Sequence, residues 1–451
     1  MANKLLIYNA VMYGGSLSIS PGSTGWVLIE GNKIADCGDG SPGFGAVSLD
    51  TPSVDGNGAM LLPGLIDSHV HFREPGLTHK GNIYSESRAA IAGGVTSFLE
   101  MPNTVPATTT AGAFVQKLDI AAATSAANYG FMLGAADGSL KALVELGSLR
   151  VPAMKLFMGT TTGGMAMPGD EELKQLLDYC AKWNIPVVVH AEDNDIIARN
   201  TADAVARYGS REDVPLSEHS SIRSAEACLS CTRKAIEMAE TAGVRLHIAH
   251  VSTGAETEYL WHNPFAFRRI TAETTPMYLD GEFGRPENRT WRHKINPAVK
   301  NESEALRQAL ADGRIDTLAT DHAPHLREEK QGGALTAASG APSVQFALPV
   351  MLEYLEPELI VQKMAVNPAF IFGIERRGSI VPGNYADLVL VRECEPHTIT
   401  DADVISPCGW TPFAGRTVSH RVTDVWVNGV RTLENGNFTG RFGAKALVFN
   451  H

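Results

Sequence analysis

Between residues 63 and 321 the chain alternates short apolar runs with longer segments of helical character, and it does so eight times. The runs end near Arg73 (after Leu65 to Phe72), Met101 (after Val95 to Leu99), Leu133, Phe157 (after Ala153 to Leu156), His190 (after Ile185 to Val189), His250 (after Val244 to Ala249), Glu273 and Asp321 (after Thr317 to Thr320). Strand then helix, repeated, calls for a parallel sheet covered by helices, and eight repeats suffice to close it. The expected fold class is α/β, a (β/α)8 TIM-like barrel over residues 63–377. The flanks read differently. Short β-rich pieces there are separated by turn signals such as Asp55-Gly56-Asn57-Gly58 and Asn428-Gly429. Residues 1–62 and 378–451 are expected to join as one small β-sandwich built from both termini, a structural support without a cluster of His, Asp or Cys.

In such a barrel the chemistry lies at the C-terminal ends of the strands. At those ends stand Asp67-Ser68-His69-Val70-His71-Phe72-Arg73, Lys155, His190, His250 and Asp321-His322-Ala323-Pro324-His325. His69 and His71, two apart on a strand, point to one face and can chelate one ion. A His-x-His pair alone more often reads as two hydrogen-bonded core residues. With His190, His250 and Asp321 it becomes a ligand set for zinc or a similar divalent ion that leaves room for water. His247 is an odd number of positions from His250 and is assigned to packing or to support behind the ligands. Arg73, two residues past His71, faces the same side of its strand.

Composition narrows the partners. A net charge of −12 with no Lys/Arg block argues against nucleic acid and leaves a small molecule, whose negative charge, if any, must be met locally by Arg73 and bound metal. No run reaches the ~18 apolar residues of a membrane span, and Met1 to Tyr8 is too short for a signal peptide, so no membrane and a cytoplasmic location are expected. Cysteines 37, 180, 228, 231, 394 and 408 are too sparse for a disulfide framework. Cys228 and Cys231 form a CxxC inside a helical stretch, Ile222 to Ala239, and are read as buried thiols.

Four segments carry a family resemblance: Asp67 to Pro75 (DSHVHFREP), Glu100 to Thr104 (EMPNT), His247 to Thr253 (HIAHVST) and Thr320 to His325 (TDHAPH). With Gly378 to Val391 (GSIVPGNYADLVLV), they resemble the amidohydrolase superfamily over nearly the whole chain, most closely the dihydroorotases among its cyclic amidohydrolases. The resemblance implies two Zn2+ per chain, with His69, His71 and Asp321 on one, His190 and His250 on the other, and an N6-carboxylated Lys155 between them. It implies a hydroxide bridging the metals as nucleophile, with Asp321 as general base and then acid at the ring nitrogen. The reaction would be the reversible cyclisation of N-carbamoyl-L-aspartate to L-dihydroorotate and water in pyrimidine biosynthesis. Arg73, Asn103 and His325 would meet the substrate carboxylate and Asn296 the ring. His322 is read as support for Asp321 or as core, and a homodimer is the family-level expectation.

Departures from the pattern, Met277 where histidine is common and Pro297-Ala298-Val299-Lys300, bear on the shape of the ring pocket. Arg327 to Pro342 is read as a lid or a surface loop. A hydantoinase, dihydropyrimidinase or allantoinase is the alternative reading. A non-catalytic scaffold is the remote one, since such relatives lose ligands and this chain keeps all six metal-site residues.

Overall fold

The computed structural model describes residues 4–14, 20–43, 47–48, 50–146, 151–159, 165–262 and 269–451. Eight parallel barrel strands follow the eight apolar runs: Leu65–Val70, Val95–Glu100, Asn128–Phe131 continued by Leu133–Gly134, Met154–Phe157, Val187–His190, Leu246–Ile248, Ile270–Thr274 and Thr317–Leu318. A parallel bridge between Val70 and His322, and a hydrogen bond from His71 N to His322 O at 2.7 Å, join the first strand to the chain leaving the last and close the ring.

The two-residue period of these short strands sorts their side chains. Met154, Leu156, Val187 and Val189 pack outward into the main core shared with the helices. Lys155 and His190, one position out of step, therefore turn inward, and Val188 joins Ile66, Leu99, Met132 and Phe372 in a separate cluster. Helix starts are set by side-chain caps: Asn82 for Ile83–Ala92, Thr110 for Ala111–Thr124, Asp193 for Asn194–Tyr208 and Ser224 for Ala225–Ala242. Each such cap is worth ~1 kcal/mol. Cys228 and Cys231 lie buried on the last of these helices, and burial pushes both thiols up to about 12, as expected of structural cysteines. Among the described residues no helix is long and apolar enough to cross a membrane.

Both termini build the second unit, as expected, and its layers are parts of one nine-stranded sheet. Met60–Pro63 is the seam, antiparallel to Leu388–Thr398 on one side and parallel to Lys4–Met12 on the other. The sheet rolls back on itself: Ile34 N donates to Asn384 O (2.9 Å) and Gly383 N to Ile34 O (2.8 Å), bringing Lys33–Asp39 against the segment before Leu388. The roll encloses Ile7, Val27, Ile29, Leu61, Leu388, Leu390 and Trp426.

From Pro63 the chain enters the barrel through Gly64, where a Cβ would fall 2.0 Å from Thr96 Oγ1, so only glycine fits. A buried polar knot locks the two units together. Asp387 accepts from Arg377, from Asn128 Nδ2 (3.1 Å) and from Asn428 N (2.6 Å), while Asn428 Nδ2 donates to Asn128 Oδ1 (2.6 Å).

Candidate metal and substrate site

At the C-terminal ends of the strands His69, His71, Arg73, Asn103, Lys155, Phe157, His190, His250, Asn296 and Asp321 line one small cleft, with Ala323, Ser339 and Gly340 completing the wall. Of the residues picked out from sequence, only His325 stands off it.

Carboxylates and an amide fix the ring orientations. His69 Nδ1–H donates to Glu273 Oε1 (2.8 Å) and His71 Nδ1–H to Asn103 Oδ1 (2.8 Å). Their Nε2 atoms therefore carry lone pairs, and both face Asp321 Oδ1, at 3.4 and 3.2 Å. Three lone pairs converging in a buried space repel one another unless a cation sits among them, and these three residues form the group among the described residues able to hold a metal ion.

His190 repeats the logic. Its Nε2–H donates to Glu192 Oε2 (2.9 Å), itself paired with Arg223, so its Nδ1 lone pair turns to His250 Nε2, 2.9 Å away. His250 Nδ1 has no hydrogen-bond partner among the described residues. Burial lowers the pKa of all four imidazoles, leaving them neutral as metal ligands must be. Burial raises that of Asp321, opposed mainly by His69.

Lys155 is fully buried, and its Nζ has no hydrogen-bond partner among the described residues. Burial pushes its pKa down to about 8. The shift makes the neutral amine more accessible than in a solvated lysine.

The backbone is strained at three of the site residues. Arg73 (φ 70°), His250 (φ 40°) and Asp321 (φ 47°) all lie in the left-handed region that non-glycine residues avoid. Asp67 braces the last of these across the barrel, accepting from Thr320 N (3.1 Å), Thr320 Oγ1 (2.6 Å) and His69 N (3.2 Å).

Sequence reasoning missed Asp67, Glu192 and Glu273 as supports. The available signal was a carboxylate placed, like the ligands, beside the end of an apolar run. His247 packs edge-on against Phe372 and reaches Glu273 Oε2 at 3.5 Å, in keeping with its assignment to packing or support. The His322 side chain does not support Asp321. It donates to Glu86 Oε2 (2.8 Å) and accepts from Ser343 N and Val344 N (3.1 and 3.2 Å), because its strand register turns the ring outward.

Arg73 is buried, donates from Nε to Pro324 O (2.9 Å), and packs with Nη2 3.1 Å from His325 Nε2. His325 thus stands behind Arg73, held also by Lys80 Nζ (3.2 Å) and Ser339 O (3.1 Å). Asn296 Oδ1, buried in the cleft wall, has no hydrogen-bond partner among the described residues.

The segment read as a lid is tied down. Lys330 Nζ donates to Lys294 O (2.7 Å) and Gly340 O (2.8 Å), and Gly340 N to Lys294 O (3.0 Å). Gly340 (φ 141°) brings the wall close, since a Cβ there would lie 2.7 Å from Ala323 O.

Comparison with known proteins gives a consistent picture. A family model described as the amidohydrolase family matches residues 60–432. The chain is similar to a dihydroorotase of Halobacterium salinarum, 38% identical over 79% of this chain and 82% of that one, and to one of Methanosarcina acetivorans, 34% identical over 86% and 84%. Among solved structures it is similar in fold to an L-hydantoinase (dihydropyrimidinase) from Arthrobacter aurescens, with TM-score 0.90 and 24% identity over 99% of this chain and 100% of that one. A dihydropyrimidinase from Brevibacillus agri aligns with TM-score 0.86 and 24% identity over 98% of each chain.

Proposed function

The chain belongs to the amidohydrolase family and, within it, to the dihydroorotases, and from that premise we propose that it interconverts L-dihydroorotate and N-carbamoyl-L-aspartate by addition and loss of water. The observation that carries this reading is the convergence of the His69, His71 and Asp321 lone pairs beside a buried arginine.

His69 Nε2, His71 Nε2 and Asp321 would hold one zinc ion and His190 and His250 a second. Lys155, its neutral amine taking up CO2 and losing a proton to become a carbamate, would add an anionic ligand for the metals where the buried Nζ has no hydrogen-bond partner among the described residues. Bound metal would polarise the ring amide carbonyl and bring the pKa of water from 15.7 to roughly 7.

Asp321 then takes the proton of the attacking water and delivers it to the ring nitrogen as the C–N bond breaks. The Asp67 brace on the neighbouring Thr320 fixes the backbone that carries Asp321. The guanidinium of Arg73, oriented by His325 and Pro324 O, meets the substrate carboxylate in a charge-assisted contact. Asn103 joins it while steering His71, and Asn296 Oδ1 takes a ring N–H.

The test is the loss of dihydroorotate ultraviolet absorbance with metal-loaded and chelator-treated protein, a hydantoin being run alongside. Selective, metal-dependent turnover of dihydroorotate is expected. Turnover of the hydantoin alone would move the activity to the hydantoinases, and no turnover of either with metal bound would overturn the hydrolase reading.

A further inference from the structure

A second cavity, of about 930 Å³, lies at the other end of the barrel. It opens where four strands begin: Pro186 precedes Val187–His190, Leu246 and Ile270 start their strands, and Asp316 precedes Thr317–Leu318. The metal-site residues stand at the far ends of the same strands. Four or five residues at about 3.3 Å each separate the two sites by roughly 13–17 Å.

Two arginines set the chemistry of this floor. Arg245 donates to the carbonyl oxygens of Asn184 and Ile371, and Arg269 to that of Gly243 (3.0 Å). Neither is paired with a carboxylate among the described residues. Burial, and after it the neighbouring Arg269, lowers the pKa of Arg245, as expected of like charges held together. Arg314 on the same wall is already neutralised by Asp312 (2.8 Å) and Glu258. The nearby Asp316 takes the Ala272 N–H (2.8 Å). Beside the arginines, Trp261 and Phe370 line the cavity with 54% and 84% of their surface exposed.

We propose that this floor cavity binds an anionic group carried on a planar ring, of the nucleoside monophosphate type. In a chain of net charge −12, two guanidiniums on one wall, neither paired with a carboxylate among the described residues, place positive charge at this floor. Their forked donors match a phosphate or carboxylate. The volume falls within the ~300–1,000 Å³ of small-molecule sites and exceeds what an inorganic anion fills. Exposed indole and phenyl faces offer a stacking surface for a base. The proposal does not depend on the reaction assigned to the opposite end.

The test is titration of the intact, metal-loaded protein with adenosine 5′-monophosphate, uridine 5′-monophosphate, ribose 5-phosphate and inorganic phosphate, followed by calorimetry and tryptophan fluorescence. A nucleotide is expected to bind one per chain, at least about tenfold tighter than ribose 5-phosphate or phosphate. Arg269→Gln, which gives up only one carbonyl contact, and Trp261→Ala are each expected to weaken it about tenfold, with turnover of dihydroorotate unchanged. Failure of both nucleotides to bind, binding indifferent to both substitutions, equal binding of phosphate, or displacement by dihydroorotate would each overturn the proposal.

Discussion

Replacing Glu273 by glutamine isolates the work of one carboxylate. Glu273 is buried, and its two oxygens accept from His69 Nδ1 (2.8 Å) and Ser68 Oγ (3.1 Å), with His250 N at 3.4 Å. It thereby sets the His69 ring and the His250 backbone, which belong to the two proposed metal groups. Its carboxyl is held well below the usual range, chiefly because His69 and His247 outweigh the cost of burial. Glutamine keeps the shape and one acceptor but loses the charge. A charge-assisted hydrogen bond contributes about 1.5–3 kcal/mol and a neutral one about 0.5–1.5, so the His69 contact should weaken by about 1–1.5 kcal/mol. That corresponds to roughly a five- to thirteenfold loss of metal affinity, at the lower end of the ~10–100-fold seen when such supporting partners are removed. The assay is competition for zinc between the protein and a chromophoric chelator at fixed pH, with turnover measured at saturating metal. The expected result is about tenfold weaker binding and largely restored turnover. Affinity unchanged within twofold would refute the argument that Glu273 sets the His69 donor atom.

Other outcomes follow from the same geometry. Asp321→Asn should lower kcat by about 10²–10⁴-fold, measured by dihydroorotate absorbance with zinc content checked separately. Arg73→Met should raise KM for dihydroorotate by roughly 10–100-fold, the loss of a charge-assisted contact, while a substrate lacking the carboxylate should be affected far less. Lys155→Ala should lower zinc content, and intact-protein mass spectrometry under native conditions should find one CO2 on the wild type and none on the variant. Burial depresses the Lys294 pKa from 10.5 to about 8, so between those values the unfolded chain binds more protons than the native one. Stability should therefore rise with pH across that window, by at most about 3 kcal/mol. A thermal midpoint that climbs no more steeply in the wild type than in Lys294→Met would contradict this.

The barrel and the residues lining its cleft were legible because the physics that buries a strand also marks where it ends. His190, His250 and Asp321 each stop an apolar run, and period two turned Lys155 and His190 inward without knowledge of their neighbours. The supporting carboxylates were not legible. Glu273 and Asp67 act on residues 204 and 253 positions away, across a ring whose register no local pattern states. His325 was read by resemblance as meeting the substrate carboxylate, and in the structure its ring stands against Arg73, behind the cleft wall. The terminal unit was foreseen as a sandwich, but not that Met60–Pro63 would stitch its halves into one sheet; turn signals mark strands, not their neighbours.

The chain's last residues run beside a strand laid down more than 300 positions earlier. Tyr129 N donates to Lys445 O (3.1 Å) and Leu447 N to Tyr129 O (2.9 Å), while Phe449 packs with the barrel-floor cluster. Contacts of such sequence separation are slow to form, because loop closure must precede any gain from packing. The third barrel strand thus stays without its outer neighbour until the far end of the chain arrives, and the Asn128–Asp387–Asn428 knot waits with it. A barrel cut from its flanks would be left with an open seam at Tyr129, and Asn128 would keep its bonds to Thr96 O and Ser97 Oγ while its side-chain oxygen lost the Asn428 and Lys445 donors.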